Sequence, residues 1–421
     1  MLSLLLLLCC GETEPPQQPT QTKTTVEPSI VAQQKEVSRA HINETNISSL
    51  SFSLPQQEKS ILQPIALSPL HEATRNALMG MVSQHGVLID NPWALLHALL
   101  ALGPQTTLPD GRDAIDALFS DYAEPSFSGA LIHFPQKKMK GSETILIEPH
   151  TDLALKVLTE IGVSPDRVLR VAGTKKTFGD LYRSSLLETH LDPRSNRSSF
   201  ASPNDIPWNI QALSTFATPN MEWESGELVM KLEDLTAFLM AVVHQETRFL
   251  AQAYESQNRF EKQKQGIFKY TCGGMHLIQA LAYAHARGFG SEKTKAVLTE
   301  QVALLYYRFP IELSIYDDLM KAHPSYKVQL LIQRLKFVGH FLETTAKMEI
   351  LGFAQASPEM RSLQQGALDQ LALITQALRE ENLIQNPQSA STKQLYLDLI
   401  GDAAHAVYGI DLIAGKRTIR F

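Results

Sequence analysis

The segment KVQLLIQRLKFVGHFLETTAKMEILGFA, residues 327–354, sets Leu331, Leu335, Val338 and Leu342 three or four positions apart. That spacing aligns side chains on one stripe of an α-helix, so the segment predicts a long core helix. LVMKLEDLTAFLMAVVHQETRFLAQAYESQ, residues 228–257, repeats the pattern with Leu235, Phe238, Val242 and Phe249. Further helices fit EKTKAVLTEQVALLYYRF (292–309), EMRSLQQGALDQLALITQALREENL (359–383) and TKQLYLDLIGDAAHAVYGIDLI (392–413). Beyond residue 226 the chain therefore reads as nearly all helix.

The preceding part is helical with a β insertion. HEATRNALMGMVSQHG (71–86) puts Ala77, Leu78, Met81 and Val82 on one face. In DNPWALLHALLALGP (90–104), Asp90 or Asn91 suits the N-cap, Pro92 the first turn and Gly103-Pro104 the stop. NDIPWNIQALSTFATP (204–219) opens on a second Pro-Trp pair, which suggests a repeated helical unit. GALIHFPQ (129–136) and ETILIEPH (143–150) flank KKMKGS and read as a β-hairpin near 129–148, with RVLRVAGTKK (167–176) as a further strand. HLDPRSNRSSFASPND (190–205) reads as a polar loop bordering a site. The expected fold is mainly α, an array of ten to twelve helices in antiparallel hairpins, α/α-toroid-like.

Composition bounds the partners. The 421 residues are 44% hydrophobic, enough to bury a large core. The net charge of −6 is spread without a Lys/Arg run to neutralise phosphates, so nucleic acid is not an expected partner. Gln, Pro, Thr and Ser dominate residues 11 to 65, a composition that reads as a flexible tether.

The N-terminus reads MLSLLLLLCCGETEPP. The Leu4–Leu8 run is too short to span a bilayer. Leucines, a small residue and then Cys10-Gly11 resemble the lipobox of bacterial lipoproteins. The resemblance implies a signal peptide over 1–9 and lipidation of Cys10; composition and periodicity divide the rest into a tether over 10–65 and a helical domain over 66–421. It places the protein in the bacterial cell envelope, with a membrane partner through the lipid. Gly11, rather than an acidic residue, directly after Cys10 implies the outer membrane, facing the periplasm or the cell surface. Of three cysteines, only Cys272 then remains in the body, which excludes an internal disulfide.

Candidate chemistry centres on YTCGGMHL, residues 270–277. Gly273 and Gly274 suit a helix start, with Cys272 at its N-cap end, where backbone donors favour thiolate. Cys272 and His276, four apart, would share a helical face and suit two ligands of a tetrahedral zinc site. This stretch resembles the α/α-toroid zinc enzymes, protein prenyltransferases and lanthipeptide cyclases, whose metal is held by Cys/His/Asp or Cys/Cys/His sets; the cyclases' second cysteine is absent here. The alternative is close helix packing with Cys272 as a small buried apolar residue. His150 and Asp152 in IEPHTDLALK suit a base and its orienting carboxylate, or a ligand pair; the alternative is Thr151 or Asp152 as an ordinary N-cap. His244 is a further candidate ligand or base, although VVHQETRFL is not the HExxH pattern. His97, His340 and His405 also sit in apolar helices that a toroid would turn towards its centre. There is no GxSxG elbow, phosphate-cradling loop or Rossmann fingerprint. Two functions fit: an envelope-tethered binding or assembly module for an envelope protein or small ligand, or a zinc-dependent envelope enzyme with a cavity near Cys272 and His276.

Overall fold

A computed structural model describes residues 35–36, 47, 50–192, 197–200, 204–225 and 228–421. Cys10, the expected signal peptide and most of the expected tether lie outside the described residues.

Twelve α-helices stand among the described residues: α1 Pro69–Gly86, α2 Pro92–Leu102, α3 Ala114–Tyr122, α4 Leu153–Glu160, α5 Phe178–Glu188, α6 Asp205–Phe216, α7 Leu232–Glu255, α8 Met275–Ala286, α9 Glu292–Ala322, α10 Lys327–Ile350, α11 Pro358–Glu380 and α12 Lys393–Ile413. Several of their starts carry side-chain caps. Asn91 accepts from the Ala94 N–H ahead of α2, Ser357 does the same for Met360 ahead of α11, and Pro92 and Pro358 occupy first turns, where an N–H is not needed.

The even-numbered helices pack on one another: α2 on α4 and α12, α6 on α4 and α8, α10 on α8 and α12. The odd-numbered ones lie against them, with α1 on α2 and α12, α7 on α6 and α8, α9 on α8 and α10, and α11 on α10. Burial follows this division. All of α6 is buried, as is nearly all of α10 and α12, whereas α7 and α11 bury one side. On α7 the buried stripe runs through Leu235, Leu239, Val242 and Leu250, and Phe238 and Phe249 flank it half-buried.

The stripe expected on α10 is present, and the opposite side is buried too. Phe337 and Phe341 stack on Phe309 of α9, while Lys336, His340, Glu343 and Lys347 occupy another side of the helix. α10 and α12 approach closely because Gly339 and Gly409 lie between them. A Cβ at Gly409 would come 2.7 Å from the Glu343 nitrogen.

Small two-stranded sheets decorate the helices. The expected hairpin is shifted: Lys137–Lys140 pairs with Glu143–Leu146, while Ile132–His133 pairs with Glu124–Pro125. Most of KKMKGS is thus strand rather than turn. Gly141 at φ 63° lets two residues reverse the chain. Val168–Val171 pairs with Thr174–Thr177 around Ala172-Gly173, both at positive φ.

Residues 50–65 lie against the body, although their composition resembles the tether's. Phe52 packs edge-on against Tyr182, Ile61 is buried, and Glu58–Lys59 pairs with Ile419–Arg420. A few apolar anchors in a polar stretch suffice to hold it. Arg417 donates to the Leu100 and Ala101 carbonyls at the end of α2, and a cleft of about 350 Å³ there is lined by Glu160, Tyr408, Arg417 and Arg420. No described helix is long and apolar enough to cross a membrane.

Candidate metal centre

Cys272 is not in a helix. Cys272, Gly273 and Gly274 take φ of 56°, 60° and 73° in succession, and α8 begins only at Met275. Only glycine fits the last two places: a Cβ at Gly274 would lie 2.2 Å from Ile267 Cγ1, and one at Gly273 would lie 2.7 Å from Arg308 Nη2. The turn is held from outside. Arg308 Nη1 donates to the Gly273 carbonyl at 3.1 Å, and the Thr271 N–H donates to Asn204 Oδ1 at 2.7 Å. Arg308 is buried and braced by Glu312 at 2.7 Å, which also accepts from Lys262 at 2.6 Å.

This turn points the thiol at His276 in the first turn of α8 and His340 of α10. One ligand atom from each of Cys272, His276 and His340 lies within 4.8 Å of the other two. Bonds of about 2.0–2.3 Å to a common ion need only a modest closing of that triangle. Cys272 and His276 thus meet through a left-handed turn, not through the shared helical face that their spacing predicts.

The imidazoles form a continuous cluster. His340 lies 4.8 Å from His276 and 4.0 Å from His405 between ring centroids, and His97 lies 5.6 Å from His405. Nδ1 of His276 is buried without a hydrogen-bond partner, whereas Nδ1 of His340 lies 3.4 Å from Glu343 Oε2. Burial, reinforced by His340, holds His276 well below the ordinary imidazole value; burial also lowers His340 and, with His340, His405 against the pull of Glu343. Lowering an imidazole pKa favours its neutral form, the form that ligates metal.

Beneath the histidines runs an ionic network. His405 Nδ1 donates to Glu343 Oε2 at 2.7 Å, and Glu343 Oε1 accepts from Lys347 at 2.5 Å. Lys347 also contacts Glu160, which pairs with Lys156 at 2.7 Å. Burial opposes ionisation of Glu343, but Lys347 and His405 overcome it and hold its carboxyl well below the usual range. A carboxylate behind an imidazole fixes its tautomer and orientation.

His150 lies beside this group. It stacks on Trp208 at 5.6 Å, and Trp208 packs against His276 at 4.2 Å. Burial, then Lys336, lowers its pKa to about 4. Its nearby carboxylate is Asp205, at 3.9 Å, rather than Asp152. Asp152, at φ 64°, accepts from Asn209 Nδ2 at 2.7 Å and makes no cap bond to α4; Glu148 accepts from the Ala154 N–H there instead. His244 is elsewhere, 59% exposed and 3.8 Å from Glu300 between α7 and α9. Among the sequence candidates, Cys272, His276 and His150 come together, with His340, His405 and His97, and His244 does not join them.

Glu343, Lys336 and Arg308 were not singled out from the sequence. The His340-Phe-Leu-Glu343 spacing, one turn of one helix, was the available signal for Glu343. A thiol and two imidazoles bind zinc with one position open to water, whose proton such a metal releases near neutrality. No protein-family model, curated protein or solved structure matches the chain.

Proposed function

We propose that the protein is a zinc-dependent enzyme of the bacterial envelope, anchored by lipid on Cys10 and acting through a metal-bound water held by Cys272, His276 and His340. The observation that carries this reading is the convergence of a thiol in a strained turn with two buried imidazoles, of which His276 keeps its Nδ1 without a hydrogen-bond partner. A non-glycine residue in the left-handed region and an orphaned buried nitrogen both cost stability, and a metal would offset the second cost. Three protein ligands favour catalysis over a purely structural site, which uses four. The closed succession α2–α4–α6–α8–α10–α12–α2 supports an α/α toroid with its histidines at the centre. His150, beside the cluster on Trp208, is the base of this reading.

Elemental analysis of the full chain, purified without chelator, tests it. We expect about one zinc per chain in the wild type and in His244→Ala, and none in Cys272→Ala/His276→Ala. A metal-free wild type would leave CGGMH a packing motif and return the protein to the binding-module reading.

A further inference from the structure

We infer that Lys336 completes an oxyanion site at the metal's open position: a ligand carboxylate sets one oxygen on the metal and the other against the Lys336 ammonium. The inference rests on the metal reading above and names the ligand class of that same site.

Lys336 precedes His340 by one turn on the same side of α10, and Asp402 precedes His405 by one turn on α12. The two walls meet. Lys336 Nζ is 3.8 Å from Asp402 Oδ2 and 3.9 Å from Asp398 Oδ1. Lys336 also acts electrostatically on His150 and His340. Buried polar atoms at this level lack hydrogen-bond partners: Gln333 Nε2, one turn from Lys336, together with Asp398 Oδ2 and Asp402 Oδ2, each on a residue only 4% exposed.

Their chemistry selects the ligand. Burial raises the Asp402 carboxyl well above the usual range, against the pull of Lys336, which favours its protonated, donating form. The Gln333 amide and the Lys336 ammonium are donors too. The charges agree. A dication bound by one thiolate and neutral imidazoles keeps a single positive charge, and Asp398 balances Lys336. The open position therefore suits a monoanion, which a carboxylate supplies.

Acetate is the probe. The full chain is loaded with cobalt(II) in place of zinc, and acetate is titrated while the visible cobalt bands are followed. Wild type is expected to show a saturable spectral change. Lys336→Met should bind acetate about tenfold more weakly or worse, the cost of one charge-assisted hydrogen bond, with cobalt affinity nearly unchanged. Lys336→Arg should stay close to wild type. Should Lys336→Met fail to fold, Lys336→Gln carries the same expectation as Met. Equal acetate affinity in wild type and the uncharged variant, or cobalt-loaded wild type blind to acetate, overturns the inference while leaving the metal site standing. A wild type that takes up no cobalt overturns the metal reading itself.

Discussion

Cys272 occupies a backbone region that costs a non-glycine residue roughly 1–3 kcal/mol, and Gly273 and Gly274 extend the same left-handed turn. That strain brings the thiol to His276 and His340. Their companion His97 gives a measurable consequence of burial. It donates from Nδ1 to the Trp93 carbonyl at 2.9 Å, and burial lowers its pKa to about 4. Because the ordinary value is higher, the unfolded chain takes up the proton first. Stability from neutral His97 is complete above about pH 6.5 and drains as pH falls towards 4, by roughly 3 kcal/mol at most. Thermal unfolding followed from pH 7 to 4 should show a falling midpoint, with a shallower fall in His97→Gln; parallel curves would refute this. At this scale the sequence identified His276, His97, His340 and His405 as residues out of place in apolar helices. It did not single out Glu343, whose role arises only from His405 and Lys347 on either side.

Among the elements, helix periodicity was legible, but helix environment was not. α10 shows its apolar stripe in sequence, yet its polar side is equally buried because α8 and α12 pack there. Asp152 stands at the N-cap position of α4 but its side chain makes no cap bond, since Glu148 reaches the first turn from six residues earlier. The Cys272 turn depends on α9 in a way no local pattern reveals, through Arg308 and its partner Glu312. Removing one member of such a buried pair costs about 3–5 kcal/mol. Arg308→Met should therefore lower the midpoint of chemical denaturation and weaken cobalt binding by about tenfold or more, as loss of support behind a ligand does. Unchanged cobalt affinity in a folded variant would show that the turn holds without it.

For the whole molecule, the C-terminal segment and residues 50–65 close over the helices, with Ile419–Arg420 paired to Glu58–Lys59 and Arg417 capping α2. The tether that composition assigns therefore cannot be moved freely as far as residue 65. The proposed anchor lies at the other end of that segment. Cys10→Ala is expected to shift the protein from the membrane to the soluble fraction when cells are fractionated, with metal content unaltered; unchanged partitioning would sink the lipid anchor without touching the metal site.

Local signals were enough for the helical class, most helix starts and the candidate Cys272-His276 pair, because periodicity and capping act over a few residues and are written in order along the chain. Packing alone settled which of those residues meet. His276, His340 and His405 belong to three helices, and close approach at Gly339 and Gly409, together with the strained turn at Cys272, sets them around one point. His244, equally suggestive in sequence, is carried outward on α7 because that helix buries its other side.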